Sequence, residues 1–578
     1  MEYTKKKVYF HALKNVETVP IMTTERPWLK NYPGGVPANI NTDKYQSLVE
    51  MFDAVFAKYK DNPAFTCMGS SITFAELDKK SKQFAGFLVQ RGFEKGDKIA
   101  LMMPNLLQYP IALFGALRAG MIVVNTNPLY MPREMEHQFT DADVKGIVIA
   151  ENFAHNLEKI IGKTKIKTVV VTSIGEMHGF FKRNMVNFAV RKLKRMVPAF
   201  NIPNTVNFKE ALSQGKKFAF ETHKGKAEDV ILLQYTGGTT GVSKGAMLTN
   251  GNLVANMEQI QSWMMPFMQE SNQVALSPLP MYHIFAFTVN CLALMSVGTH
   301  TVLVTNARDL GSIVKEFKQH KITLFTGVNT LYNGLLNNTD FLALDFSDLK
   351  ISVGGGMAVQ GAVAQRWKEV TGCNLSEGFG MTETSPVVTV NPLNESIRLG
   401  TIGLPLPSTD VRIVNENGQP IGVGEVGEIQ VKGPQVMKGY YNRPDETAKT
   451  ITAEGWLNTG DIGKMDPDGF FSIVDRKKDM ILVSGFNVYP NEVEDVLATH
   501  PKILEGAAIG IPSEKSGEAV KVFIVKKDKS LSESEVIDFC RESLTGYKVP
   551  KAVEFRDELP KSNVGKILRR ILKEGGIS

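Results

Sequence analysis

The densest concentration of groups able to grip phosphate lies in ILLQYTGGTTGVSKGAMLT (Ile231 to Thr249). There an apolar run enters a turn of Thr236, Gly237, Gly238, Thr239, Thr240, Gly241, Ser243, Lys244 and Gly245. Glycine lets main-chain N–H groups approach phosphate oxygens closely, while hydroxyls and an amine add donors, so the turn is expected to cradle a polyphosphate. A Walker A loop needs Gly-Lys-Ser/Thr in succession before a helix; here two residues separate Gly241 from Lys244. P-loop NTPase machinery is therefore disfavoured. A flexible Gly/Thr turn is the alternative reading of the same residues.

Four further segments follow in order: SVGGGM with Gly354 and Gly355, EGFGMTET (Glu377 to Thr384), WLNTGD (Trp456 to Asp461) running on to DRKKD (Asp475 to Asp479), and PKSNVGKILRR (Pro560 to Arg570). With the phosphate turn they resemble the adenylate-forming superfamily of acyl-CoA synthetases and luciferases. EGWLNTGDIGKMDPDGFFSIVDRKK (Glu454 to Lys478) is similar to the fatty acyl-CoA synthetase signature within it. The chain departs from the family pattern at Phe379, where Tyr is usual, at Asn458 (His), at Met465 (Trp) and at Phe287, where some relatives carry a Trp gate. A phenylalanine still stacks on adenine; the other departures bear on acyl chain length rather than on reaction type.

The resemblance implies ATP-dependent activation of a long-chain fatty acid through an acyl-adenylate, transfer to CoA, and release of AMP and pyrophosphate. It implies that Lys566 bridges carboxylate and α-phosphate, and that His283 lies beside the acyl-adenylate carbonyl rather than being a satisfied core histidine. Glu377, Gly378, Phe379, Thr382, Gly354 and Gly355 would surround the adenylate, and Asp461 and Arg476 would hold the ribose. Glu383, helped by Thr236 or Thr382, is the expected Mg²⁺ ligand, because a hard cation bridging phosphates takes oxygen donors. Phe287 is placed at the acyl tunnel and Gly485, in SGFNVYP, at the CoA channel. Lys478 serves both as a nucleotide contact and as the hinge about which the C-terminal part turns between half-reactions.

These residues need a scaffold, and the sequence outlines one. Short β-branched runs at Lys145 to Ala150, Lys167 to Thr172, Thr299 to Thr305 and Lys321 to Gly327 alternate with helical-period stretches at Tyr109 to Gly120 and Gly361 to Val370. That alternation predicts an α/β fold of two layered subdomains. From about residue 400 to 475, closely spaced strands and Gly turns, as in Val411 to Gly433, predict a β subdomain. We expect an N-terminal domain over 1–475 and a small mobile α+β domain over 476–578 ending in a basic helix, Lys566 to Glu574. The apolar stretch Ile284 to Gly298 is too short to span a membrane and reads as a buried core helix.

At 578 residues, with 43% hydrophobic and 22% charged residues, the chain reads as an ordinary globular protein of several structural units. A net charge of +6 spread over the whole length gives no reason to invoke nucleic acid. Four dispersed cysteines support neither disulfides nor zinc, and no secretory signal is visible, so a cytoplasmic location is expected. FFKRNMVNFAVRKLKRMV (Phe180 to Val197) carries six basic and no acidic residues, with Phe181, Met185, Ala189, Leu193 and Met196 on one helical face. This segment reads either as a peripheral anchor to the anionic face of the inner membrane or as a helix packed on the protein. Rival readings are an adenylating enzyme with another acyl class or a non-CoA acceptor, and a non-catalytic lipid carrier, which has no use for Lys566 or Glu383. Oligomeric state, a homodimer included, is not legible.

Overall fold

The computed structural model describes residues 26–237, 243–513, 515–562 and 565–575. Two large sheets form the bulk of the molecule. The first has eight strands in the order Gly439–Tyr440, Ser243–Thr249, Val230–Gly237, Ile122–Asn125, Lys98–Met102, Val144–Ala150, Thr168–Thr172 and Val206–Asn207. Its inner strands pair in parallel and are apolar nearly throughout, as strands covered on both faces must be. The phosphate-turn strand Val230–Gly237 folds back on Ser243–Thr249 as an antiparallel pair.

Helix Phe74–Gln90 starts from a reciprocal capping box between Thr73 and Glu76. It packs on Gln108–Arg118, every residue of which is buried. A Cβ at Gly115 would stand 2.8 Å from the Phe84 ring and 2.9 Å from the Ser81 carbonyl, so glycine sets how closely these helices approach.

The second sheet runs Leu404–Pro405, Val387–Val390, Leu375–Gly380, Ile351–Gly354, Leu324–Gly327, Val274–Ser277, His300–Leu303, Pro63–Cys67 and Ser70–Thr73. Beneath it Phe325, Tyr332, Phe341 and Trp367 interlock edge-on and stacked, fixing helices Asn329–Leu336 and Gly361–Thr371. In open α/β sheets ligands bind beyond the carboxyl ends of the strands. Here the ends of Val230–Gly237, Ile351–Gly354 and Leu375–Gly380 all reach one cavity.

An antiparallel four-stranded sheet follows, Asp410–Val414, Gly427–Lys432, Leu457–Met465 and Phe471–Arg476. A five-stranded sheet with helices Pro490–Ala498 and Glu533–Ser543 makes the small C-terminal unit. The fold is thus α/β, with a large N-terminal part and a small α+β C-terminal part.

Three elements differ from the sequence expectation. The basic C-terminal helix covers only Arg569–Lys573. Lys566 instead sits near the tip of a hairpin in which Lys561 bridges Ile567 and Gly565 takes a φ of +81°, a conformation open to glycine. The apolar stretch after Leu279 is buried but is two one-turn helices joined by a π-helical segment, Phe287–Ala293. The basic amphipathic stretch is α-helical only over Phe180–Phe188, continues as a π turn through Leu193, and breaks at Arg195, whose φ is +50°.

Candidate active site

One cavity of about 1180 Å³ lies between the large sheets, the four-stranded sheet and the C-terminal hairpin. Its polar end is lined by Thr236, Lys244, Thr382, Glu383, Asp461, Arg476, Lys478 and Lys566; its apolar arm by Ile260, Trp263, Met264, Val289, Val390 and Leu393. Amphiphilic substrates need such a pairing of ends.

Antiparallel register places Arg476 opposite Asp461, and the two form an ion pair at 3.3 Å. Asp461 is 5% exposed, and burial raises its pKa against the pull of Arg476, Lys566 and Lys478. Lys566 is pushed down to about 7, by desolvation first and then by Arg476, with Asp461 opposing. Lys478 is lowered by burial and by Arg476. Three basic side chains thus surround the Asp461 carboxylate, with Asp479 also acting on Lys478 and Glu383 on Arg476.

Glu383 is buried, which raises its pKa, and its Oε1 accepts a hydrogen bond from the Tyr440 hydroxyl at 2.6 Å. Lys244 is gripped by Glu446 at 2.6 Å and lies over the Tyr440 ring. The pairing with Lys244 and Lys449 holds Glu446 down at about 2. Neither Tyr440 nor Glu446 was foreseen, because the contacts come from Gly439–Tyr440 and Pro444–Thr450, which reach the phosphate strand only through tertiary pairing.

His283 caps the short helix Ile284–Ala286, its Nδ1 accepting from the Phe285 N–H at 3.5 Å. Burial and the Lys566 charge lower its pKa to about 4, so the ring is neutral. Its loop is held by a buried chain: Tyr109 donates to Asn125, Asn125 to Gln234, and Gln234 to the Tyr282 carbonyl. Gly354, Gly355, Gly378 and Phe379 also line the cavity. A Cβ on Gly355 would come within 3.1 Å of the Gly378 carbonyl, so the two backbones are close enough to need glycine.

Other sequence-singled residues are not brought to the cavity wall. Phe287 is 1% exposed within the core; Phe285 and Ile284 line the cavity in its stead. Phe285 lies in the helical turn just before the π-helical segment that Phe287 opens. Glu377 lies behind the wall, its carboxyl accepting from the Val359 N–H at 3.2 Å and pushed up to about 8 by burial. Ser243 does not line the cavity either, lying in the returning strand. Gly238, Thr239, Thr240 and Gly241 lie outside the described residues. Gly485 stands away from the cavity in a two-residue hairpin turn with Ser484, both with positive φ.

Glu383, Thr236 and Thr382 offer hard oxygen donors that fit Mg²⁺. Among the described residues no cluster of three His, Cys, Asp or Glu side chains could hold a metal by itself. Such a set suits a cation that keeps its waters and leans on substrate phosphates.

The description "AMP-binding enzyme" matches residues 52–441, and "AMP-binding enzyme C-terminal domain" matches 492–566. The chain belongs to the AMP-binding enzyme family. Members of this family similar to the chain include the long-chain-fatty-acid–CoA ligases of Yersinia pestis, 55% identical over 95% of this chain and 98% of that protein, and of Bacillus subtilis, 39% identical over 96% and 98%. Among solved structures, ATP-bound MatB from Rhodopseudomonas palustris superposes with a TM-score of 0.79 at 28% identity, over 91% of this chain and 98% of that one. An anthranilate CoA ligase in complex with anthranoyl-AMP superposes at 0.82, over 93% and 99% of the two chains, and at 24% identity supports the fold.

In this AMP-binding enzyme the depressed pKa of Lys566 has a thermodynamic consequence. At pH 8 the free enzyme carries this amine largely neutral, whereas a bound polyphosphate favours its charged form. Calorimetry of MgATP binding in buffers of different ionisation enthalpy is expected to show proton uptake of up to about one proton at pH 8 and little at pH 6. Lys566→Ala should lose the pH 8 uptake; equal uptake in the variant would contradict the assignment.

Proposed function

We propose that the chain is a long-chain fatty acid–CoA ligase, using ATP and CoA as co-substrates with Mg²⁺. The observation that carries this reading is the single cavity joining a cationic, hydroxyl-lined end to an apolar arm. The similarity to long-chain-fatty-acid–CoA ligases over nearly the full chain supports it.

In the first half-reaction the fatty carboxylate oxygen attacks the α-phosphorus of ATP, a new O–P bond forms, and the bond to the β-phosphate breaks with pyrophosphate leaving. Both reactants are anions, so preorganised cations at the point of charge build-up supply most of the acceleration. Lys566 stands between carboxylate and α-phosphate, Arg476 and Asp461 hold the ribose, and Thr236 and Lys244 face the polyphosphate. Lys244 must leave Glu446 to do so. Mg²⁺, when bound near Glu383, neutralises phosphate charge. Neutral His283 donates a hydrogen bond toward the carbonyl. In the second half-reaction the CoA thiol, losing its proton, attacks the acyl carbonyl and AMP leaves.

One fixed site serves both steps poorly. The small domain, divided from the rest at about residue 476, turns about Lys478, withdrawing Lys566 and bringing the Ser484–Gly485 hairpin toward the pantetheine path. The position of Gly485, away from the cavity and in open space, is consistent with a second docked orientation.

Membrane docking through 180–197 gains support from its orientation. Polar residues face inward: Asn187 bonds Ser173 and the Gly175 N–H, Arg191 grips Glu151, and Lys182 reaches the Met68 carbonyl. Apolar residues face out, with Phe181 86% and Leu193 71% exposed. A helix packed on its own protein shows the reverse. The outward apolar side with Lys192, Lys194 and Arg195 beside it fits an anionic lipid surface, from which long-chain substrates are drawn. Among the described residues no helix is long and apolar enough to cross a membrane.

AMP release measured over a series of fatty acids should depend on CoA and rise in kcat/KM with chain length; preference for short or aromatic acids would overturn the assignment. Met264→Trp, which fills the apolar arm, should lower kcat/KM for long chains roughly ten-fold more than for short ones. Cosedimentation with vesicles should require anionic lipid and should weaken in a Phe181→Ser, Met185→Ser variant; insensitivity to both would remove the membrane role.

A further inference from the structure

Helix Asn329–Leu336 is fixed to the large unit on one side and holds the small unit on the other. Tyr332 is fully buried and donates to the Val353 carbonyl, and Asn329 exchanges two hydrogen bonds with Gln360. One helical turn apart on the opposite side, Thr330 donates from Oγ1 to the Gly565 carbonyl at 3.0 Å, and Asn333 donates from Nδ2 to the Leu504 carbonyl at 3.0 Å. Arg308 stands 3.5 Å from the Ser562 carbonyl. All three acceptors are main-chain carbonyls of the C-terminal unit, and two of them lie in the hairpin that carries Lys566.

Three hydrogen bonds tie Ser562 to Gly565 and Lys566 in that hairpin. Ser562 N–H donates to the Lys566 carbonyl, Gly565 N–H to the Ser562 carbonyl, and the Ser562 hydroxyl accepts from the Lys566 N–H. A carbonyl grasped one residue before Lys566 therefore fixes where the amine stands. The fit at this point is tight: a Cβ on Gly565 would lie 2.7 Å from Thr330 Oγ1 and 3.1 Å from Val328 Cγ2.

We propose that Thr330 and Asn333 form a latch that holds the C-terminal unit in the adenylate-forming orientation, acting as positioning residues for Lys566 and biasing the balance between the two half-reactions. The latch rests on the reading above in which the small unit alternates between two docked orientations. Thr330 touches no reacting atom; its hydroxyl acts through the Gly565 carbonyl. Because neither bond survives rotation about Lys478, each adds to the stability of one orientation alone, and only such a difference shifts a two-state equilibrium. A neutral hydrogen bond of this kind is worth roughly 3- to 10-fold in population.

The test measures the half-reactions apart: single-turnover acyl-adenylate formation without CoA, and thioester formation from preformed acyl-adenylate plus CoA. Thr330→Val keeps the side-chain shape and removes the donor. It should slow adenylate formation roughly 3- to 10-fold while thioester formation stays equal or rises, and Thr330→Val with Asn333→Ala should widen the gap. Thr330→Ser should restore the adenylation rate, which separates a lost donor from damaged packing. Parallel loss of both half-reactions that serine does not rescue, or no change in either, overturns the latch. Lys478→Pro serves as the comparison variant: it also loses that lysine's nucleotide contact, yet it should impair thioester formation more than adenylation. If the comparison variant splits the half-reactions and Thr330→Val does not, the latch alone fails; if the comparison variant does not split them, domain alternation fails and the latch with it.

Discussion

The structure turns on gathering three basic side chains, Lys566, Arg476 and Lys478, around the buried carboxylate of Asp461 inside a partly desolvated cavity. Burial first, and then the like charge of Arg476, lowers the pKa of both lysines. The cluster is completed by an anion that the protein itself does not supply. A polyphosphate with a carboxylate beside it does, which is why the arrangement is matched to a reaction between two anions. Everything else in the fold serves to bring a C-terminal hairpin over the carboxyl ends of strands more than a hundred residues away.

Two further features follow from that constraint. Lys244, at the same end of the cavity, is paired with Glu446 at 2.6 Å, and in the proposed mechanism substrate phosphate displaces that carboxylate. Glu383 is kept buried beside Tyr440, and in the proposed function this oriented carboxylate would accept a hard cation. The apolar arm is continuous with this polar end, so burial of each methylene, worth about 0.8 kcal/mol, can position the reacting carboxylate.

Much of this was legible in the sequence, and for identifiable reasons. Turn chemistry and strand patterns are local, so the strands at Lys145 to Ala150 and Lys167 to Thr172 and the helix at Gly361 are found within a residue or two of their expected places. The segments holding Thr236, Gly354, Phe379, Asp461, Arg476 and Lys566 could be named chiefly because they resemble motifs of the adenylate-forming superfamily, and the fold brings them to one cavity. What escaped depends on side-chain direction or on distant pairing. Phe285 rather than Phe287 lines the cavity, a side-chain direction that a motif match does not carry. Tyr440 lies on a two-residue strand with no pattern of its own and Glu446 on the short helix Pro444–Thr450 just after it. The inside-out orientation of 180–197 follows from buried partners such as Glu151 and Ser173, which no periodicity within the segment reveals.

The central claim is that the phosphate turn and the C-terminal hairpin converge on one nucleotide phosphate. A crystal structure with a non-reactive alkyl-adenylate measures this directly. The account predicts the phosphate within hydrogen-bond distance of Lys566 Nζ and beside Thr236, the ribose on Asp461, and the alkyl chain running past Phe285 toward Met264. A nucleotide bound elsewhere, or a phosphate out of reach of Lys566 with the hairpin docked as described, would contradict it.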